Sequence, residues 1–117
     1  MKACCLPERY AFQTYAGWES AGNVQIDGIE VPAGSARRIT HIQAAHVSAG
    51  TATFRVVANS GAEEVTVLYA VGCPTIVPSV ALTDIWQTAG DFMRIYATVT
   101  AGTGTLYFRL WGELWEI

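Results

Sequence analysis

Residues 79–117 read SVALTDIWQTAGDFMRIYATVTAGTGTLYFRLWGELWEI, and they predict three consecutive β-strands. Apolar side chains recur with a period of two, and Gly-containing turns at residues 89–91 and 101–104 separate the strands. One face of the last strand is formed by Leu106, Phe108, Leu110, Gly112 and Leu114. The other face is formed by Tyr107, Arg109, Trp111, Glu113 and Trp115. The first face is predicted to pack on the core. The second is the candidate interface, because a sheet face this aromatic is rarely left to water.

The rest of the chain also alternates and shows no helical periodicity. Further strands are predicted at residues 10–18, 24–31, 36–47, 51–58 and 64–71, and the last two form the clearest hairpin. The Asp27-Gly28 pair predicts a tight hairpin or a bulge, and the alternation slips near Ala44 and Ala45, where we expect a bulge. The predicted core comprises Phe54, Val56, Val67, Met93, Ile95, Leu106, Phe108 and Leu110.

About eight strands without crossover helices predict an all-β fold, an antiparallel β-sandwich, and this number of strands favours a jelly roll. At 117 residues the chain is expected to form a single domain over residues 1–117, with residues 1–8 as an N-terminal arm. A shared core should then lie between two sheets.

The composition predicts a subunit of a larger assembly. Charged residues are 15% of the chain, against roughly 25% in an ordinary soluble domain. Six Arg accompany the single Lys2, and Arg tolerates interfaces better than Lys does. The net charge of −3 argues against a nucleic-acid partner, which needs a basic patch. Because no apolar run is long enough to span a membrane or to act as a signal, we expect synthesis in a cytoplasm and no membrane partner.

Residues with catalytic or metal-binding chemistry are sparse. His41 and His46 are expected on opposite faces of one strand, so they do not predict a metal site. Cys73 is expected in a loop, and the sequence indicates no base that would activate its thiol as a nucleophile. The sequence leaves open a disulfide from Cys73 to either Cys4 or Cys5. The carboxylates lie near turns, and a glycosidase pair is the least favoured alternative. We therefore predict no enzyme activity, no catalytic residues, no metal and no cofactor.

The aromatic row in the last strand has three interpretations. Tyr107, Trp111 and Trp115 would be anchors for a protein partner, with Arg109 and Glu113 setting the register. Alternatively, loops of the same chain cover the row. In the third interpretation, the Trp rings stack on a glycan. The enrichment of Trp, Tyr and Arg at protein interfaces favours the first interpretation.

Residues 81–97, ALTDIWQTAGDFMRIYA, resemble the penultimate region of small jelly-roll proteins of tailed bacteriophages, which act as capsid decoration (cement) proteins or fibre tips. In that family a strand leads into an Ala-Gly-Asp turn and then into an aromatic strand. The resemblance implies a virion structural protein on the capsid surface, a homo-oligomer with a trimer preferred, and the major capsid protein as partner. The alternative that it implies is a glycan-binding or receptor-binding module of a tail fibre or tail spike.

Overall fold

The computed structural model describes residues 6–117 and contains eight β-strands and no helix among them. The strands are β1 (Glu8–Trp18), β2 (Gly22–Asp27), β3 (Ser35–Ser48), β4 (Ala52–Ser60), β5 (Glu63–Cys73), β6 (Ser79–Thr88), β7 (Phe92–Val99) and β8 (Gly104–Glu116). Within this part of the chain, no helix is long and apolar enough to cross a membrane.

The strands form two four-stranded antiparallel sheets that pack face to face. Their orders are β1-β8-β3-β6 and β2-β7-β4-β5. Only β4 and β5 are consecutive in the chain and paired, so they form the one hairpin, while each other connection between strands crosses from one sheet to the other. Eight antiparallel strands in this interleaved order form a jelly roll. The predicted all-β antiparallel sandwich is confirmed.

Two local predictions about bulges are wrong. The second strand ends at Asp27, and Gly28 instead begins a connection whose nitrogen donates a 2.7 Å hydrogen bond to the Met93 carbonyl oxygen. The bulge in β3 lies at Thr40, not at Ala44 and Ala45. The alternation in fact continues through the two alanines, since Ala44 is buried and Ala45 belongs to the outer face. Two alanines in sequence conceal this alternation, because the inward and the outward side chain are the same.

The hydrophobic core lies between the two sheets, and seven of the eight predicted core residues are fully buried there. The exception is Val67, which is half-buried and packs against the core from the edge strand β5. A register shift between Val56 and Val57 interrupts the β4–β5 pairing, so Leu68 and Ala70 also reach the core. The alternation assigned the inner faces of the central strands correctly and failed at the irregular edge.

The buried side chain of Arg37 ties one end of the sandwich together. Its Nη2 donates a 2.8 Å hydrogen bond to Gln87 Oε1, and its Nη1 donates to the Ile29 carbonyl oxygen and to the Tyr10 hydroxyl oxygen at 2.8 Å and 3.1 Å. Burial lowers the pKa of this guanidinium and raises the pKa of Tyr10. Arg37 thereby links β3 to β6, to β1 and to the β2–β3 connection.

Two predictions concern the N-terminus, the arm of residues 1–8 and a disulfide to Cys73, and most of the residues involved lie outside the described part of the chain. Glu8 belongs to β1 and is therefore not part of the predicted arm of residues 1–8. Residues 1–5, which include Cys4 and Cys5, lie outside the described residues, and so does any disulfide from them to Cys73. Cys73 itself is buried, with Sγ 3.3 Å from the hydroxyl oxygen of Ser79.

Candidate interaction surfaces

The outer side of the β1-β8-β3-β6 sheet carries most of the exposed aromatic surface. We call it the aromatic face, and its apolar members are Tyr15, Val47, Val80, Leu82, Trp86, Tyr107, Trp111 and Trp115. Strand β8 lies in the middle of this sheet, between β1 and β3. The five residues of the predicted interface therefore run along the centre of the face.

All five predicted interface residues point outward from β8, but neighbouring side chains leave them only half-exposed. Tyr15 lies 6.2 Å from Tyr107 between ring centroids. The His41 ring meets the Trp111 ring edge-on at 6.3 Å. The partial cover thus comes from adjacent strands of the same sheet, and not from the loops of the second interpretation.

The most exposed members of the aromatic face lie on the edge strands. Leu82 and Trp86 on β6 are 77% and 55% exposed, and Tyr15 on β1 is 70% exposed. The sequence analysis did not assign them to the interface. Alternation places Leu82 and Trp86 on one side of β6, but only the strand order brings that side next to the row on β8. The candidate surface is therefore wider than the predicted row.

The charges of the aromatic face are mostly paired within it. Arg38 Nε lies 2.7 Å from Asp84 Oδ1, and Arg38 Nη1 lies 3.3 Å from Glu113 Oε1. Both hydrogen bonds raise the pKa of Arg38, and the bond to Asp84 has the larger effect. Arg109 forms no ion pair with any of residues 6–117. It is a cation of this face that a partner can still engage.

Two shallow depressions lie along β8. The larger, of about 520 Å³, is lined by Trp111, His41, Gln43 and Val80 together with residues of β1. The smaller, of about 150 Å³, lies beside Tyr107 and Arg109. Both are open features of the sheet surface, and they give the face concave sites beside polar and charged side chains.

The outer side of the β2-β7-β4-β5 sheet is different in character, and we call it the polar face. Arg94 forms a two-point ion pair with Asp27, with Nε to Oδ1 at 2.6 Å and Nη2 to Oδ2 at 3.0 Å. Tyr96 donates a 2.6 Å hydrogen bond to Glu64 Oε2, and this bond is the main reason that the pKa of Glu64 is lowered. The bond from Arg94 likewise lowers the pKa of Asp27. This network suits a face exposed to water.

The two histidines lie on opposite sides of β3, as predicted. His46 is buried, where its Nε2 donates a 2.8 Å hydrogen bond to the Cys73 carbonyl oxygen. Its Nδ1 lies 2.9 Å from Ser48 Oγ, and His41 is exposed on the aromatic face. Among the described residues, no group of three or more His, Cys, Asp or Glu is arranged to hold a metal ion.

Comparison with known proteins supports the fold. The sequence matches no protein-family model, and no curated protein matches it. The mitogen of Yersinia pseudotuberculosis is similar in structure, with a TM-score of 0.51 and 13% identity over 92% of this chain and 86% of that one. This likeness shows a shared β-sandwich fold and carries nothing about activity.

Two weaker likenesses come from binding and viral proteins. A chain of infectious bursal disease virus, Gt strain, has a TM-score of 0.46 and 8% identity over 97% of this chain, which spans only 34% of the viral chain. A CBM4 carbohydrate-binding module has a TM-score of 0.34 and 17% identity over 92% of this chain and 84% of that one. Such scores are too low to support a functional argument.

Proposed function

We propose that this protein is a non-enzymatic structural subunit of a virion, a capsid decoration protein that docks through its aromatic face. The observation that carries the proposal is the contrast between the two outer faces of the sandwich. The polar face exposes Tyr69 but is otherwise covered by a network of ion pairs, while the aromatic face presents exposed Tyr15, Leu82 and Trp86 around the row on β8. Large apolar side chains exposed on one face of a sheet are typical of an interaction surface.

The electrostatics of the aromatic face also favour docking. Because Arg38 lies between Asp84 and Glu113, burial of the face would not leave that cation without a partner. Trp86, whose ring lies 5.9 Å from the Arg38 guanidinium carbon, and Trp111 are large amphipathic anchors of the type that dominates interface energies. Arg109 would pair with a carboxylate of the partner and set the register.

In this proposal the protein assembles as a homo-oligomer, preferably a trimer, and binds across neighbouring copies of the major capsid protein at the virion surface. Each copy buries apolar surface on the capsid, and the linked copies bind together, so individually modest contacts become strong. Holding adjacent capsid subunits together would oppose their separation under internal pressure.

One observation favours a second candidate, a glycan-binding or receptor-binding module of a tail fibre or tail spike. The depression of about 520 Å³ beside Trp111 is also lined by His41 and Gln43, whose polar atoms are suited to hydroxyl groups. In this alternative the row on β8 is a sugar platform, and the oligomer does not depend on it.

Trp86→Ala and Trp111→Ala test the proposal, with Tyr69→Ala on the polar face as the matched control. Each Trp variant should weaken assembly or capsid attachment by about 2 kcal/mol or more, and the control should not change either. Light scattering measures assembly against the 12.6 kDa monomer, and thermal disruption of capsids with bound protein measures attachment.

The outcomes separate the candidates. Loss of glycan retention in Trp111→Ala, with assembly and capsid attachment intact, would support the sugar platform instead. A wild-type protein that stays monomeric and does not bind capsids would overturn the docking proposal.

A further inference from the structure

A groove on the polar face has the features of a ligand site. It has a volume of about 450 Å³, within the range of roughly 300–1,000 Å³ typical of small-molecule sites. The groove is lined by polar and aromatic side chains, among them Asn23, Gln25, Thr53, Arg55, Tyr69 and Tyr96. The groove lies on the sheet opposite the aromatic face, so it is separate from the surface proposed for docking.

Strand register explains how these residues meet. Gln25 on β2, Tyr96 on β7, Arg55 on β4 and Tyr69 on β5 are direct cross-strand neighbours, so they form one row across the whole sheet. Adjacent strands are ~4.8 Å apart, which places the backbones of Tyr69 and Tyr96 ~10 Å from each other. Arg55 lies on β4, between the two strands that carry them, and its guanidinium carbon is 4.9 Å from the Tyr96 ring centroid.

Several polar atoms in the groove have unused hydrogen-bonding capacity within the described part of the chain. Asn23 accepts a hydrogen bond from Thr98 through Oδ1, which leaves its Nδ2 donors unused. Gln25 donates to Asp27 through Nε2, which leaves its Oε1 acceptor unused. Donors and acceptors are thus offered side by side, as a ligand with hydroxyl groups requires.

Arg55 is available for a ligand as well. Its side chain is 43% exposed, and its carboxylate neighbour Glu64 lies 3.8 Å away, beyond hydrogen-bonding distance. Its Nε is buried and has no hydrogen-bond partner. The charges beside the groove, Arg55 and Arg94 against Asp27 and Glu64, sum to zero, so this part of the polar face has no net positive charge to select an anion.

The Tyr69 ring completes the site. Its side chain is 64% exposed at the edge of the groove, so a ligand in the groove can reach the ring. A flat apolar ring beside uncharged donors and acceptors matches a pyranose, which has an apolar C–H face and a rim of hydroxyl groups.

We propose that this groove binds a neutral saccharide, whose ring face stacks on Tyr69 and whose hydroxyl groups bond to Asn23, Gln25 and Arg55. The site is independent of the proposed docking function. A subunit attached through its aromatic face would keep this groove turned outward on the opposite sheet.

The test is a titration of the full-length protein with three neutral probes, maltohexaose, cellohexaose and chitohexaose, followed by ¹H–¹⁵N NMR. At least one probe should shift the amide resonances of Gln25, Arg55 and Tyr69. Tyr69→Ala should weaken its binding about tenfold or more, whereas Tyr69→Phe should retain most of it because the stacking ring remains. Tyr15→Ala, an equally exposed tyrosine on the aromatic face, is the matched control and should bind as the wild type does.

The proposal is overturned if none of the three probes shifts these resonances, or if the shifts centre on Trp111 and Tyr15→Ala is the variant that loses binding. Absence of saccharide binding would not affect the docking proposal, because docking is tested by assembly and capsid attachment. Intact assembly in Tyr69→Ala together with lost saccharide binding would support both proposals separately.

Discussion

The ring of Trp86 on β6 lies 6.1 Å from the ring of Trp115 on β8, although strand β3 runs between them. The residue of β3 opposite Trp115 is Ala36, whose methyl group leaves room for the two indoles to meet above it. This contact joins the edge of the aromatic face to its centre. Trp86 therefore extends the predicted row to the edge of the sheet.

Phe108→Ala should destabilise the protein by about 3 to 5 kcal/mol, because Phe108 is fully buried and its removal leaves a cavity between the sheets. Urea unfolding followed by circular dichroism measures the change. Leu82→Ala, at an exposed position of the aromatic face, is the control and should have little effect on the monomer. Equal stability of Phe108→Ala and the wild type would contradict the register of β8.

Gly112→Ala should disrupt the centre of the β1-β8-β3-β6 sheet. Gly112 lies opposite the bulge in β3, and a Cβ there would overlap the carbonyl oxygen of Arg38. Because that atom belongs to the backbone, the strand must move, and we expect a loss of about 2 kcal/mol or more. Gly102→Ala, in a loop with open space around it, is the matched control and should be tolerated. Thermal melting of both variants checks the prediction.

Gln87→Leu should cost about 2 kcal/mol or more, because it removes the acceptor of two hydrogen bonds from the buried Arg37 guanidinium. Replacing both residues, as Arg37→Met with Gln87→Leu, removes the buried charge as well. The double variant should then lose less stability than the sum of the two single variants. A double-mutant cycle in urea measures the coupling, and strictly additive losses would show that the pair does not act as a unit.

Asp27 should make the stability depend on pH in the acid range. Its pKa is lowered in the folded protein by the bond from Arg94, so its contribution is complete above its ordinary value of 3.8. The contribution is lost as the pH falls below that value through the lowered pKa. Asp27→Asn should therefore show a smaller drop in melting temperature between about pH 6 and pH 3 than the wild type does. An unchanged drop would mean that other carboxylates, such as Glu64, dominate acid unfolding.

Much of the candidate surface could be assigned from sequence at the level of single strands. Alternation separated Leu106, Phe108 and Leu110 from Tyr107 and Trp111, and the structure places the first set in the core and the second outside. The groove of the polar face was not found in this way. Its row combines Gln25, Tyr96, Arg55 and Tyr69 from four strands, and no local pattern in the chain links them.

The sequence by itself determined the number of strands, the inner face of each central strand and the absence of helical periodicity, because side-chain alternation is a property of the extended backbone. The strand order, which sets β8 between β1 and β3, was decided by the tertiary structure. The tertiary structure also decided the position of the bulge at Thr40, where Gly112 allows the backbones of β3 and β8 to approach closely. It likewise decided the pairing of Arg38 with Asp84 and Glu113. Those features depend on contacts between residues far apart in the chain, which form only when the two sheets pack around a shared core.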